Sequence, residues 1–228
     1  MGYTIHTICL AMPYKLGSVN CYLVEGERGF ILIDTGSSNQ RARLLGELER
    51  AGCRPGNLNL ITLTHGDFDH TGNAAYLREK FTAKLAMASD DFGMLERGDM
   101  FWNRKKGNTA IRLVAPLLFR FGKRNRCTPD LKVEDGCDLS GYGFDARVLH
   151  IPGHSAGSVG ILTKDGDLFC GDLLENTQHP ALGSIMDDVP AAKASLQKLK
   201  GFEIQTVYPG HGEPFLMAAL QSEASLAG

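Results

Sequence analysis

The chain has 228 residues, 43% of them hydrophobic and 22% charged, which is enough apolar material for a domain that folds without bridges. Its formal charge of −2 provides no chain-wide field toward nucleic acid or an anionic surface. No apolar run reaches the length of a bilayer span.

NCYLVEG and GFILIDTG are β-rich runs joined by the polar glycine turn EGERG, a hairpin pattern. SSNQRARLLGELERAG then reads as a helix, with serine caps at its start, Leu44, Leu45 and Leu48 on one face, and Gly52 at its end. LNLITLTH is a buried strand whose C-terminal end delivers His65, and a helix is predicted around residues 71–80 with Ala74, Leu77 and Phe81 along one side. AKLAMAS is a further strand.

After it the rhythm breaks. From Ala88 to Arg126 there are nine Lys or Arg against four Asp or Glu, a local +5, so the rest of the chain sums to −7. Alternation resumes at LKVEDGCDLSGYGFDARVLHIPGH and runs through SVGILTKDGDLFCGDLL, where KDGD is a hairpin turn. PAAKASLQKL is a helix with Asp188 ahead of it and Pro190 in its first turn. IQTVYPGHG is expected to be the last strand, followed by an amphipathic segment.

Two β-rich halves, each ending in helix, predict two sheets packed face to face with helices outside. The expected organisation is one domain over residues 1–228 with a helical, lid-like insertion at about 88–130. The start, MGYTIHTICLAMPYKL, has no secretory cleavage site. The cysteines (Cys9, Cys21, Cys53, Cys127, Cys137, Cys170) are scattered and form no C-x-x-C pair. Reduced thiols in a cytoplasmic protein are therefore expected.

Histidines and carboxylates that stand just past an apolar strand and beside a glycine fall into four strings. LTHGDFDH contributes His65, Asp67, Asp69 and His70; LHIPGHSAGS contributes His154; LFCGDLL contributes Asp172; VYPGHGEP contributes His211. Strand ends are rigid and their loops can converge, while glycine lets backbone pass close to an ion. Each string alone has an ordinary explanation, since a histidine after a strand is commonly a hydrogen-bonded structural residue and PGHG is a turn. Four in one chain point to metal, and mixed imidazole and carboxylate donors suit zinc, iron or manganese.

In this order and at these separations, THGDFDH, IPGHSAGS, CGDLL and YPGHG resemble the metallo-β-lactamase-fold superfamily from about Ser18 to about Phe215. GFILIDTG resembles the strand that carries the family's supporting aspartate, here Asp34. The resemblance implies an α/β fold, a four-layer αββα sandwich of two mixed sheets, with two divalent ions at one edge. One ion would take His65, residue 67 and His154. The other would take Asp69, His70 and His211, with Asp172 bridging and Asp34 orienting imidazoles from behind. His6, His150 and His179 match no ligand position, and His179 is considered only as a substrate contact.

The family pattern H-x-H-x-D-H has a histidine where this chain has Asp67. A minority branch, the flavodiiron proteins, has glutamate there and binds two irons. Zinc is the ion the resemblance implies, and Asp67 as a carboxylate ligand brings in iron or manganese. Aspartate is one methylene shorter than glutamate, so Asp67 could instead hold an ion through water or point away.

The chemistry implied is hydrolysis by a hydroxide bridging two ions, with Asp69 and Asp172 catalytic, on an ester, lactone, thioester or phosphoester of a small substrate. No nucleic-acid partner is expected. The rival is a di-iron oxidoreductase reducing oxygen or nitric oxide; 228 residues leave no room for the flavin domain of such proteins, so it would need a separate electron donor. In the basic segment, Arg104 and its neighbours Lys105 and Lys106 are expected to draw an anionic substrate. Trp102 and nearby apolar residues would form a pocket wall or a homodimer contact. The plainer alternative is a helical excursion with solvated lysines.

Overall fold

A computed structural model describes residues 2–104 and 122–220. The first sheet holds β1 (Thr4–Ala11), β2 (Ser18–Gly26), β3 (Gly29–Ile33), β4 (Leu58–Thr62), β5 (Lys84–Ala88) and β6 (Leu131–Val133), in that spatial order. β1, β2 and β3 pair antiparallel, while β3 to β6 run parallel. The parallel part needs crossovers, and α1 (Arg41–Arg50) and α3 (Ala74–Phe81) supply two of them. The short α2 (Phe68–Thr71) precedes α3, and α4 (Phe92–Arg97) follows β5.

The second sheet has the order β13-β12-β9-β8-β7, built from β7 (Ala146–His150), β8 (Val159–Thr163), β9 (Asp167–Gly171), β12 (Thr206–Pro209) and β13 (Phe215–Leu216). A two-stranded ribbon, β10 (Leu174–Glu175) with β11 (Ala181–Leu182), precedes α5 (Val189–Leu199). The chain therefore pairs one strand beyond the expected last one, β13 against β12.

Period-two alternation decides which side chains go where. On β2 and β3, Tyr22, Val24, Ile31 and Ile33 face the second sheet and pack with Val148, Val159, Ile161 and Phe169. Their neighbours Cys21, Leu23, Phe30 and Leu32 point the other way, onto Leu44 and Leu48 of α1 and Leu77 and Phe81 of α3. On the far side, Leu149, Leu162, Leu168 and Val207 pack under Ala192, Leu196 and Leu199 of α5. Both faces of each sheet are thus covered, and the result is the αββα sandwich of two mixed sheets. Phe169, fully buried between the sheets, is a pivot of this packing; truncating such a side chain to alanine typically costs about 3–5 kcal/mol.

Helix ends partly follow the sequence expectation. The Asp188 side chain accepts from the Ala191 amide 3.0 Å away and caps α5 ahead of Pro190. The serines before α1 make no side-chain cap; a 3-10 turn at Ser38–Gln40 leads in instead. No helix among the described residues is long and apolar enough to cross a membrane.

Strand direction places the site. β3, β4 and β5 are parallel in one sheet, and β7, β9 and β12 share a direction in the other. Their C-terminal ends meet at one edge of the sandwich. The Val159 amide donates to the Thr64 carbonyl at 2.9 Å and the Asn20 amide to the Gly210 carbonyl at 2.8 Å, joining the sheets there.

Candidate metal centre

Every strand end named above delivers a polar side chain to that edge. Beyond β3 comes Asp34, beyond β4 His65, beyond β7 His154, beyond β9 Asp172 and beyond β12 His211, while α2 carries Asp69 and His70. All seven lie within two clusters or directly behind them. His65, His154 and Asp172 form one trio of mutually close donor atoms, and Asp69, His70 and His211 form the other.

The imidazoles are held in one orientation. Nδ1 of His65 lies 3.0 Å from Thr64 Oγ1, that of His70 2.8 Å from Asp34 Oδ2, that of His154 2.8 Å from the Ile185 carbonyl, and that of His211 2.7 Å from the Ser18 carbonyl. Thr64 Oγ1 gives its own hydrogen to Asp34 Oδ2 at 2.7 Å, so it accepts from His65. Each ring therefore donates outward from Nδ1 and turns Nε2 inward, which is the orientation a metal ligand requires.

Asp34 is central to this arrangement. Its Oδ1 accepts from the Thr64 amide at 2.8 Å, and its backbone takes φ of 59°, a left-handed value that is uncommon outside glycine.

The inward atoms are close to one another. In the first trio, Asp172 Oδ2 is 3.7 Å from His65 Nε2 and 3.8 Å from His154 Nε2. In the second, His211 Nε2 is 3.5 Å from Asp69 Oδ2, and His70 Nε2 is 3.9 Å from it. Asp172 also reaches the second trio, with Oδ2 3.2 Å from His211 Nε2 and Oδ1 3.2 Å from His70 Nε2. Donors placed tetrahedrally about an ion at roughly 2.0–2.1 Å are about 3.4 Å apart, so these spacings fit. His65 Nε2, His70 Nε2 and Asp172 Oδ1 are buried and have no hydrogen-bond partner among the described residues. Such atoms are costly unless something else satisfies them, and a cation between the trios would. Gly210 is also required: a Cβ there would stand 2.2 Å from Asp172 Oδ1 and 2.7 Å from His70 Cε1.

Electrostatics bind the donors to one another. Burial acts downward on His70 and His154, yet Asp172 and Asp34 outweigh it for His70, and Asp67 and Asp172 for His154, so both rings are raised. Burial lowers His65, helped by the neighbouring His70 and His154. Burial would raise Asp172, but His211, His70 and His65 outweigh it and hold the carboxyl well below its usual range. Burial raises Asp69. For His211 burial acts downward, yet Asp172 carries the ring up to about 9.

Asp67 sits at the rim of the first trio. Its Oδ2 is 3.1 Å from His154 Nε2 and 3.9 Å from His65 Nε2, while its Oδ1 is paired with Arg104. Arg104 is therefore not the free lid cation that the basic segment suggests: its guanidinium is buried against Asp67. Trp102 is 47% exposed and stacks under the Arg97 guanidinium, 3.5 Å from the ring centroid. His179 is exposed in the loop between β10 and β11. His150 turns its Nε2 to the Ala156 carbonyl at 2.9 Å, and His6 lies 3.2 Å from Glu25; neither ring joins a trio. Lys105, Lys106, Arg112, Leu117, Leu118, Phe119, Arg120 and Phe121, which complete the basic and apolar stretch, lie outside the described residues.

Asp91 is the residue that strand-end reading misses. It follows β5 at the same edge, is wholly buried, and accepts from the Gly66 amide at 3.1 Å, Ser155 Oγ at 2.6 Å and the Gly157 amide at 2.8 Å. It thereby ties the loop of His65 to the loop of His154. A search for carboxylates beside a glycine passes over it, because its neighbours are Asp90 and Phe92. Asn20, whose side chain donates to the Pro209 and Gly212 carbonyls at 3.1 and 2.7 Å, likewise pins the His211 loop.

The chain matches the metallo-beta-lactamase superfamily over residues 14–211. A probable metallo-hydrolase of Methanocaldococcus jannaschii is 28% identical over 86% of this chain and 88% of its own. The hydroxyacylglutathione hydrolase GloC of Haemophilus influenzae is 30% identical over 72% and 70%. An acyl-coenzyme A thioesterase of Bos taurus is 28% identical over 89% and 76%. Among solved structures, TTHA1623 in a di-iron-bound form aligns with a TM-score of 0.71 at 29% identity, covering 96% of both chains. A class B3 di-zinc metallo-beta-lactamase from an Alaskan soil metagenome shares the fold, with a TM-score of 0.65 at 17% identity over 86% of this chain and 74% of its own.

Proposed function

Because the chain belongs to the metallo-beta-lactamase superfamily, we propose that it is a metal-dependent hydrolase of small-molecule esters, with thioesters as its leading substrate class. His65, Asp67, His154 and Asp172 would hold one divalent cation, and Asp69, His70, His211 and Asp172 a second. Two such cations supply Lewis acidity: they acidify water and take up negative charge developing on a carbonyl or phosphoryl oxygen.

The rest is done by the chain. Asp34, Thr64, Ser18 and Ile185 fix the four rings so that their Nε2 atoms converge. Asp172 presents an oxygen to each trio and sets their separation. Asp69, raised by burial, stands beside His211 and is placed to orient the water and take its proton.

The observation that carries this reading is the convergence of four inward Nε2 atoms on one shared carboxylate. Thioesters lead because two relatives are named for hydroxyacylglutathione and acyl-coenzyme A cleavage. A second reading, a di-iron oxidoreductase served by a separate electron donor, is favoured by one feature, the Asp67 oxygen facing the first trio. Two measurements separate them: metal analysis after aerobic and anaerobic purification, and turnover of a lactone, thioester, phosphodiester and β-lactam panel. Thioester cleavage that disappears in His70→Ala and Asp172→Ala is the expected result. Protein that stays metal-free after reconstitution with zinc, iron and manganese in turn would refute the proposal.

A further inference from the structure

Asp67 divides its two oxygens between different partners. Oδ2 faces His154 Nε2 at 3.1 Å and His65 Nε2 at 3.9 Å. His154 donates from Nδ1 to the Ile185 carbonyl, so its Nε2 faces Asp67 Oδ2, a contact made favourable by a proton on Nε2 or by a cation between or beside them. Oδ1 belongs to Arg104, whose Nη2 donates to it and lies 3.2 Å from His154 Nε2.

The guanidinium is held there from behind. Arg104 is 6% exposed, its Nε donates to the Met100 carbonyl at 3.1 Å, and its Nη1 is 3.9 Å from Asp187 Oδ1. A buried arginine needs a carboxylate partner, and Asp67 supplies it at close range. The pair sums to no net charge at a position where the family pattern has a neutral histidine. Without Arg104 the same carboxylate would carry a full negative charge and have two free oxygens.

We propose that Arg104 tunes the metal centre through Asp67, holding Oδ1 out of reach and compensating the carboxylate so that only Oδ2 is offered beside His65 and His154. Arg104 is thus a positioning residue that weakens this half of the centre for hard cations and keeps it closer to the preference of an imidazole site. The inference rests on the hydrolase reading above only insofar as that reading places a cation between these residues. It adds that residue 67 cannot be understood without residue 104.

Two effects of removing Arg104 oppose each other. Losing an outer partner of a ligand commonly lowers metal affinity about 10–100-fold. Removing a buried positive charge next to a divalent cation raises it, and at this range in a poorly solvated site the charge effect is the larger. The net expectation is tighter binding, most for oxygen-preferring ions.

The test is manganese and zinc affinity of stripped, refilled protein, measured by competition with a fluorescent chelator, with stoichiometry by elemental analysis. Arg104→Met should bind manganese at least ~10-fold more tightly than wild type, with a smaller gain for zinc. Arg104→Gln, which keeps hydrogen-bonding reach without the charge, should show the same direction and guards against a folding defect in the first variant. Arg104→Lys, which keeps the charge, should stay near wild type. In an Asp67→Asn background the Arg104→Met gain should shrink to the part that comes from the guanidinium's direct repulsion of the cation. Unchanged or weaker manganese binding in both neutral variants overturns the proposal, as does an equal gain without Asp67. Wild-type protein that loads neither ion would instead overturn the hydrolase reading, and this inference with it.

Discussion

Replacing Asp91 by alanine removes a carboxylate that joins the His65 loop to the His154 loop. Two backbone amides and a hydroxyl lose their acceptor: Gly66 at 3.1 Å, Gly157 at 2.8 Å and Ser155 at 2.6 Å. Hydrogen bonds to a charged group are worth about 1.5–3 kcal/mol each, and buried donors left without a partner add to the cost. Against this, burial raises the Asp91 carboxyl, so the folded state already carries a penalty for it that the substitution relieves. The two terms leave a net loss of about 3 kcal/mol, since contributions within one network do not add. In a chain of 228 residues that corresponds to a melting temperature lower by roughly 6–12 °C.

The assay is a calorimetric melt of metal-stripped wild type, Asp91→Ala and Asp91→Asn, followed by metal titration of each. Asparagine keeps one acceptor oxygen but points an amide at donors, so it should fall between the other two. The loop displacement should weaken the His65, His154 and Asp172 trio by about 10-fold or more and leave Asp69, His70 and His211 largely intact. A melting temperature within about 2 °C of wild type, with both cations bound normally, would refute the role given to Asp91.

Gly210→Ala should fold yet lose affinity for both cations, because its Cβ would displace Asp172 and His70; elemental analysis after refilling reads this directly, and two tightly held equivalents would contradict it. Burial acts to raise Asp130, but the hydrogen bonds from Arg78 and the Leu85 amide outweigh it and depress the carboxyl. Its folded-state value thus lies below the unfolded one, so its stabilisation is present above the ordinary carboxylate range and is lost as pH falls through the depressed value. Arg78→Met should flatten that acid-side decline in melting temperature, and an unchanged profile would count against it. Burial pushes the Cys53 and Cys170 thiols up to about 12 and Cys21 well above the usual range, whereas Cys9 is exposed. A thiol reagent should therefore modify Cys9 in native protein and reach Cys21, Cys53 and Cys170 only after denaturant; rapid native modification of all six would refute the buried assignment.

The layers and the candidate ligands were legible in the residue pattern. Alternation in NCYLVEG and GFILIDTG sends Tyr22, Val24, Ile31 and Ile33 to one face and Leu23 and Leu32 to the other, and spacing alone carries that information because a strand's period is two residues. The four glycine-flanked strings likewise expose His65, Asp69, His70, His154, Asp172 and His211, since each stands where a rigid strand ends.

Tertiary structure decided how those residues are paired and supported. The two trios share Asp172 only because parallel strands of two different sheets end at one edge. Two of the four rings are oriented by backbone carbonyls, those of Ser18 and Ile185, 193 and 31 residues away from the histidines they hold, and a carbonyl has no residue-type signature to read. Arg104 looks like one more surface cation in a basic stretch until the fold buries it on Asp67, 37 positions earlier. Asp91 lies 25 residues from Gly66 and 64 from Ser155. Contacts of that range are fixed by packing, where burial makes an unpaired charge or donor costly; local pattern has no means of expressing them.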